Sequence, residues 1–140
     1  MKILVPVDGS KSALNAVKYA AKLSGNMRSN DTVTLIIVHD DHGLRHAKQF
    51  VGKAAVEDYL RELSDKELKS SLAVLKKAGI KYNTIVQTGH VAAAIANTAN
   101  KGYDMVIMGT KGRSALADLL IGSVAQRVVA SCKKPVLLVK

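Results

Sequence analysis

MGTKGRSALADLLIGSVAQ, residues 108–126, is the stretch that decides the fold and carries the strongest candidate site. It continues a short apolar run, residues 104–108, which stops at Gly109. A run this short, rich in β-branched and large side chains and closed by glycine, predicts a buried strand. Gly112 follows, and glycines just past a strand let the backbone take positive φ and approach a ligand with no Cβ in the way. The stretch therefore predicts a strand followed by a glycine loop.

A second glycine, Gly122, precedes a predicted helix. Ser123, with Gln126 three residues on, has the pattern of a capping box, which places the helix N-terminus at Ser123. A helix N-terminus suits an anion because it has unpaired N–H groups and the positive end of the macrodipole. Lys111 and Arg113 add two cations to the glycine loop. We interpret the stretch as a phosphate cradle. The alternative is that the glycines serve plain β-to-α turns. The sequence has neither a Walker motif nor a dinucleotide-binding motif.

The spacing of these residues resembles a known family. Gly109-x2-Gly112-x9-Gly122-Ser123 is similar to the nucleotide-binding signature of the universal stress protein family, in its ATP-binding branch. Three further segments resemble the same family: KILVPVDGS at residues 2–10, TGHVA at residues 88–92 and KPVLLV at residues 134–139. The resemblance covers essentially all 140 residues. It implies an α/β fold in one domain, residues 1–140: a five-stranded parallel sheet of order 3-2-1-4-5 with helices on both faces, adenine nucleotide alpha hydrolase-like.

The resemblance also implies a site for ATP, or for AMP, a cyclic nucleotide or another adenine nucleotide, with Mg²⁺ on the phosphates. Asp8 could hold Mg²⁺ or accept a hydrogen bond from ribose, since hard cations take carboxylate oxygen; a turn-stabilising hydrogen bond is the alternative. Asp40 stands where the family makes a backbone contact to adenine. The candidate binding residues are Pro6, Val7, Asp8, Asp40, Met108, Gly109, Thr110, Lys111, Gly112, Arg113, Gly122, Ser123 and Val124.

Periodicity assigns the rest of the chain to alternating strands and helices. Strands are predicted at residues 2–7, 31–39, 80–87, 104–108 and 135–139, and helices at residues 12–23, 54–79, 91–100 and 123–131. Residues 40–53 are polar and irregular and predict a loop with a helical turn. The buried stripe predicted for the long helix is Val56, Tyr59, Leu60, Leu63, Leu68, Leu72 and Leu75. Ligands of doubly wound sheets bind where the winding reverses, so Asp8 and Gly109 are expected to open into one crevice.

The composition bounds the class of protein. A chain of 140 residues with 48% hydrophobic residues can form one domain with a sizeable core. No apolar run approaches the ~18–20 residues that span a bilayer, so no membrane insertion is expected. The single cysteine, Cys132, permits no internal disulfide and predicts a reducing cytoplasm. The net charge is +10, but the basic residues are scattered along the sequence and aromatics are few, so a solvated surface is favoured over nucleic-acid binding.

Nucleotide sensing is the function that this pattern favours. Phosphoryl transfer needs a positioned nucleophile, and no residue is an obvious water-positioning base. The nucleotide is therefore expected to set the conformation or dimer state for an unidentified regulatory protein partner. The C-terminal strand, residues 136–139, is an apolar sheet edge, and the resemblance implies that it pairs two copies into a homodimer. A slow ATPase or nucleotide hydrolase is the alternative, and a nucleic-acid binder is a third. The run His39-Asp40-Asp41-His42 resembles a metal cluster, but ligands adjacent in sequence rarely converge on one ion.

Overall fold

The computed structural model of the chain describes residues 1–26, 30–112 and 120–140. Its five strands are all parallel and form one sheet in the order β3-β2-β1-β4-β5, which confirms the expected order. The strands are β1 (Lys2–Pro6), β2 (Thr32–Asp40), β3 (Lys81–Gly89), β4 (Met105–Gly109) and β5 (Val136–Val139). The helices are α1 (Lys11–Asn26), α2 (Asp41–Val51), α3 (Lys53–Lys77), α4 (Val91–Asn100) and α5 (Ser123–Ser131).

Two apolar layers hold the helices against the sheet. On one face the side chains of α1 and α3 pack on alternate residues of the strands, such as Ile3, Leu35 and Ile107. On the other face α4 and α5 pack on the residues between them, such as Leu4 and Ile36. The central strands are buried on both faces, which explains why they are continuous apolar runs and not alternating ones.

The prediction of a loop at residues 40–53 is wrong, because most of that segment is helix α2. The Asp40 carboxylate accepts a hydrogen bond from the His42 N–H at 3.0 Å and caps the helix. Gly52, with φ of 84°, ends it. The helix fully buries none of its side chains, although Leu44, Ala47 and Val51 recur at helical spacing. Its Phe50 is 80% exposed.

The predicted stripe of α3 is wrong at Tyr59, whose side chain is 60% exposed. The fully buried positions in the second half of α3 are Ser64, Leu68, Ser71 and Leu75. Before Ser64, only Val56 is buried. The N-terminal half of α3 therefore contributes little to the core, although its residues have helical spacing. No helix of the described residues is long and apolar enough to cross a bilayer.

Candidate functional site

A cavity of about 280 Å³ opens where the winding of the sheet reverses. β1 and β4 are neighbours in the sheet, while the segments that follow them in the chain lead to opposite sides. Such a switch point leaves a crevice at the carboxyl ends of the two strands, which is where doubly wound sheets bind ligands. Asp8 follows β1, Gly109 ends β4, and both line the cavity.

The structure brings most of the predicted binding residues together around this cavity. Those that line it are Pro6, Val7, Asp8, Met108, Gly109, Thr110, Lys111, Gly112, Gly122, Ser123 and Val124. Arg113 lies outside the described residues. Asp40 does not line the cavity. It is the last residue of β2, and its carboxylate caps α2.

Six apolar lining residues were not among the predicted ones: Ala13, Ile36, Val38, Val91, Ile95 and Ala125. Ile36 and Val38 belong to β2, the other neighbour of β1, and come before the position that the resemblance indicated. Val91 and Ile95 lie four residues apart on α4, a spacing that places both on one helix face. The strand order and this helical spacing are the signals from which they could have been found.

Gly109 is needed for a different reason from the one predicted. Its φ is not positive, and neither is that of Gly112 or Gly122. A Cβ on Gly109 would lie 2.5 Å from Ser12 Oγ and 2.7 Å from the backbone carbon of Ser12. The absent side chain therefore lets the start of α1 pack directly on the end of β4.

The glycine loop and the start of α5 are joined by backbone hydrogen bonds. The Gly122 N–H donates to the Thr110 carbonyl at 2.6 Å, and the Thr110 N–H donates to the Val139 carbonyl at 2.9 Å. A Cβ on Gly122 would lie 3.3 Å from the Thr110 carbonyl oxygen and 3.7 Å from the Gly112 nitrogen. The loop thus sits against the helix start with little spare room between them.

The helix begins at Ser123 as predicted, but the predicted capping box is wrong. Gly122 is the N-cap, and within residues 1–26, 30–112 and 120–140 no side chain caps the helix. In a capping box the N–H of the N-cap residue is taken by a side chain three residues on; here the N-cap is Gly122, and Thr110 already accepts its N–H. The Gln126 side chain donates to the Ile121 carbonyl instead, at 2.8 Å. The first turn of α5, residues 122–125, lines the cavity without a side-chain cap.

Asp8 combines a turn with a position in the cavity wall. One carboxylate oxygen, Oδ1, accepts a hydrogen bond from the Ser10 N–H at 2.9 Å, across Gly9 with φ of 79°. Ser10 in turn caps α1, since its Oγ accepts from the Ala13 N–H at 3.1 Å. The other oxygen, Oδ2, lies 3.1 Å from where a Cβ on Gly112 would be. The carboxylate therefore faces the glycine loop across the crevice.

The residues of the run 39–42 point to different places. His39 is buried against α3, where its Nε2 lies 2.8 Å from Ser64 Oγ. Ser64 Oγ donates to the Leu60 carbonyl at 2.7 Å, so its oxygen accepts a hydrogen bond from the His39 Nε2–H. Burial lowers the pKa of His39 below its ordinary value. Among the residues that the structure describes, no three His, Cys, Asp or Glu side chains are grouped to hold a metal ion.

The chemistry of the lining is that of a binding site. Asp8 and Lys111 are its ionisable side chains among the described residues, at the mouth formed by the glycine loop. Apolar side chains from β1, β2, β4 and α4 form the rest of the wall. Such a cavity suits a ligand with a flat apolar part and an anionic part, held by backbone amides and one ammonium group.

Both the sequence and the fold resemble those of known proteins. The family model of the universal stress protein family matches residues 1–140. Universal stress protein MJ0531 of Methanocaldococcus jannaschii is 33% identical, over 99% of this chain and 81% of that protein. The structure of MJ0577 superposes with a TM-score of 0.85 at 28% identity, covering 99% of this chain and 94% of the other. A universal stress protein in complex with cAMP superposes with a TM-score of 0.62 at 25% identity, over 100% of this chain and 97% of the other.

Proposed function

This chain belongs to the universal stress protein family, and we propose that its cavity binds ATP or another adenine nucleotide as a regulatory ligand in the cytoplasm. A relative of the same fold is described in complex with cAMP, a ligand with the same adenine, ribose and phosphate parts. The nucleotide sets the conformation that an unidentified protein partner reads, and it is not a rapidly consumed substrate.

The uncapped start of α5 is the observation that carries this proposal. The first four N–H groups of a helix have no partner within the helix. Gly122 gives its N–H to Thr110, and no side chain of the described residues caps the rest of the turn, so the amides of residues 123–125 are left for a ligand. Because these residues line the cavity beside Lys111, a phosphate there meets several donors and the positive end of the helix dipole.

The apolar wall supports the adenine end of the ligand. Ile36, Val38, Val91 and Ile95 line the cavity on the side of β2 and α4, away from the glycine loop. A planar base buries apolar area against such side chains, which favours binding by roughly 25 cal/mol per Å². Asp8 then lies between the base and the phosphates, where its carboxylate accepts from ribose or holds Mg²⁺ on the phosphate oxygens.

We further propose a homodimer through the outer edge of β5. In the described chain this strand pairs only with β4, and its residues Val136–Val139 are all half-buried. An apolar edge strand is a template for pairing with another chain. A two-fold pair of β5 strands gives the closed assembly typical of homo-oligomers. Since the Val139 carbonyl holds Thr110, the paired strand also contacts the glycine loop.

Calorimetric titration of the purified chain with Mg-ATP, AMP and cAMP tests the binding proposal. The decisive variant is Gly122→Val, because Gly122 has φ of −69° and ψ of 162°, a conformation open to β-branched residues. Its added atoms enter the narrow space against Thr110. We expect at least about a hundredfold weaker binding, since hydrogen bonds to a charged group contribute about 1.5–3 kcal/mol each.

The matched control is Gly102→Val, where a Cβ meets nothing within 4 Å. It should bind the nucleotide as the parent chain does. Saturable binding that is unchanged in a folded Gly122→Val protein contradicts the cradle, and a parent chain that binds no adenine nucleotide contradicts the function. Multiple-turnover phosphate release from ATP would mean that ATP is a substrate and not a regulatory ligand.

A further inference from the structure

The amino-terminal end of the sheet, opposite the cavity, has a row of charged residues that the strand register brings level. Lys2 pairs with Thr32, and Thr32 pairs with Lys81. On the other side of β1, the Lys2 N–H donates to Asp104, and the register of β4 with β5 places Lys134 level with Asp104. With neighbouring strands about 4.8 Å apart, the row is roughly 19 Å wide.

Helix ends add lysines on both sides of this row. Helices that connect parallel strands run back along the sheet, so they end beside the amino ends of the strands. Lys76 and Lys77 end α3, Lys101 is the C-cap of α4, Lys133 follows α5, and Lys22 lies near the end of α1. These five and the three lysines of the row, Lys2, Lys81 and Lys134, form what we call the basic end.

The charges of the basic end are poorly balanced. None of its eight lysines has an ion pair with a described acidic residue. Two aspartates lie there: Asp31 is paired with the Met1 amino group at 2.8 Å, and Asp104 accepts from the Lys2 backbone. The four helix C-termini offset about two charges more, at roughly −0.5 each. With the Met1 amino group counted among the cations, a surplus of about five positive charges remains after the aspartates and the dipoles are counted.

The acidic residues lie elsewhere. Apart from Asp31 and Asp104, the described ones are at Asp8 and at residues 40–41, or between Glu57 and Glu67 of α3. Eight acidic residues thus offset most of the eleven described Lys and Arg side chains outside the basic end. The net positive charge is concentrated at the basic end, which is turned away from the nucleotide cavity. Dipole compensation explains some lysines at helix ends, but it does not explain those at the strand starts, Lys2, Lys81 and Lys134.

We propose that the basic end docks on an anionic phospholipid surface. Its lysines are spread over all three layers of the domain, so they present a two-dimensional array and not a line or a groove. A planar sheet of phosphate headgroups matches such an array. Each lysine near an anionic leaflet strengthens association by about fivefold. No apolar side chain needs to enter the bilayer for this docking.

A nucleic-acid duplex fits the same surface less well. The helices meet it with their C-termini, and none offers its side to a groove, as duplex-reading helices do. The described cations of the basic end are all lysines, whereas arginine has the planar fork that recognises phosphates and bases. The nearby aromatic side chains, Tyr82 and Tyr103, are half-buried in the core layers and do not form a stacking platform.

Co-sedimentation of the full chain with vesicles tests the proposal. Phosphatidylcholine vesicles with about 30 mol% phosphatidylglycerol are compared with pure phosphatidylcholine vesicles at about 0.1 M salt, where the Debye length is about 10 Å. The test variant is Lys77→Gln, Lys81→Gln and Lys101→Gln, all exposed. The control removes the same charge from positions farther from the basic end, with Lys11→Gln, Lys48→Gln and Lys66→Gln, also exposed. A fluorescent DNA duplex is titrated in the same buffer.

We expect binding to the anionic vesicles only, weakened roughly a hundredfold in the basic-end variant. The control should stay within about threefold of the parent, because charges beyond a Debye length contribute little. An equal loss in both variants would mean that net charge alone acts, and it would overturn the proposal. So would a chain that ignores anionic vesicles, or one that binds the duplex and not the vesicles.

Discussion

Replacing Gly109 by alanine should destabilise the fold, with or without a nucleotide. The added Cβ would lie 2.5 Å from Ser12 Oγ, 2.7 Å from the backbone carbon of Ser12 and 2.9 Å from the Ala13 nitrogen. Two of these three atoms are backbone atoms at the start of α1, so a rotamer change cannot relieve the clash. The helix has to move away from β4, and the hydrogen bonds of Ser12 with the Val139 carbonyl and the Lys111 N–H are strained with it.

The expected loss of stability is large for a single methyl group. Overpacking of a well-packed core costs about 1–3 kcal/mol and sometimes more. Three contacts below 3.0 Å, two of them with backbone atoms, place this variant at about 3 kcal/mol. For a domain of this size that lowers Tm by roughly 10 °C. Guanidinium unfolding should show a lower midpoint with an unchanged slope, since the surface exposed on unfolding is the same.

Two further variants test whether the clash with backbone atoms of α1 causes the loss of stability. Gly43→Ala makes the same change inside α2, where a Cβ meets nothing within 4 Å, and should stabilise by about 0.5–1 kcal/mol. Combining Gly109→Ala with Ser12→Ala removes the hydroxyl but leaves the backbone contacts, so it should not restore stability. A rescue by Ser12→Ala, or an undamaged fold that loses only nucleotide affinity, would refute the packing role of Gly109.

Three other expectations concern the dimer, the pH dependence and the metal. Leu138→Pro should give a monomer by light scattering, while Leu138→Ala should stay dimeric. Both variants lose the leucine side chain, but only proline removes an N–H from the outer edge of β5. A dimeric proline variant argues against edge pairing. Burial lowers the pKa of His39, so the unfolded chain takes up a proton that the fold rejects, and stability should fall as the pH drops below about 6.5. His39→Gln should flatten that slope and the exposed His42→Gln should not; equal slopes in both would assign it to other groups. Asp8→Asn keeps the Oδ1 acceptor for Ser10 but removes the charge, and should abolish the gain in ATP affinity on adding Mg²⁺; a gain that persists would exclude Asp8 as the metal contact.

The order and type of most elements could be predicted from the sequence because hydrophobic period and glycine punctuation are local signals. They located all five strands and four of the five helices within a few residues. The helix α2 was missed although Leu44, Ala47 and Val51 have helical spacing, because the segment is short and mostly polar. Tyr59 was wrongly predicted to be buried, because helical spacing shows which residues share a face but not whether that face reaches the core.

The site was predicted as a set of residues, and its geometry was not. The spacing of Gly109, Gly112 and Gly122 indicated where the chain turns, and the strand order then placed the three around one crevice. Which groups meet there depends on contacts between distant segments. The partner of the Gly122 N–H is Thr110, twelve residues away, and the atoms that exclude a side chain from Gly109 belong to α1.

The distribution of charge also depends on contacts between segments that are distant in the sequence. Along the chain the lysines look scattered, because each strand start and each helix end is separated from the next by a whole element. Parallel winding brings all of those points to one end of the molecule. The sequence alone thus determined the elements and the residues available to a site, since backbone propensity and burial pattern act over short distances. Only the tertiary structure decided which of them face one another, because strand order and register join residues that the chain keeps far apart.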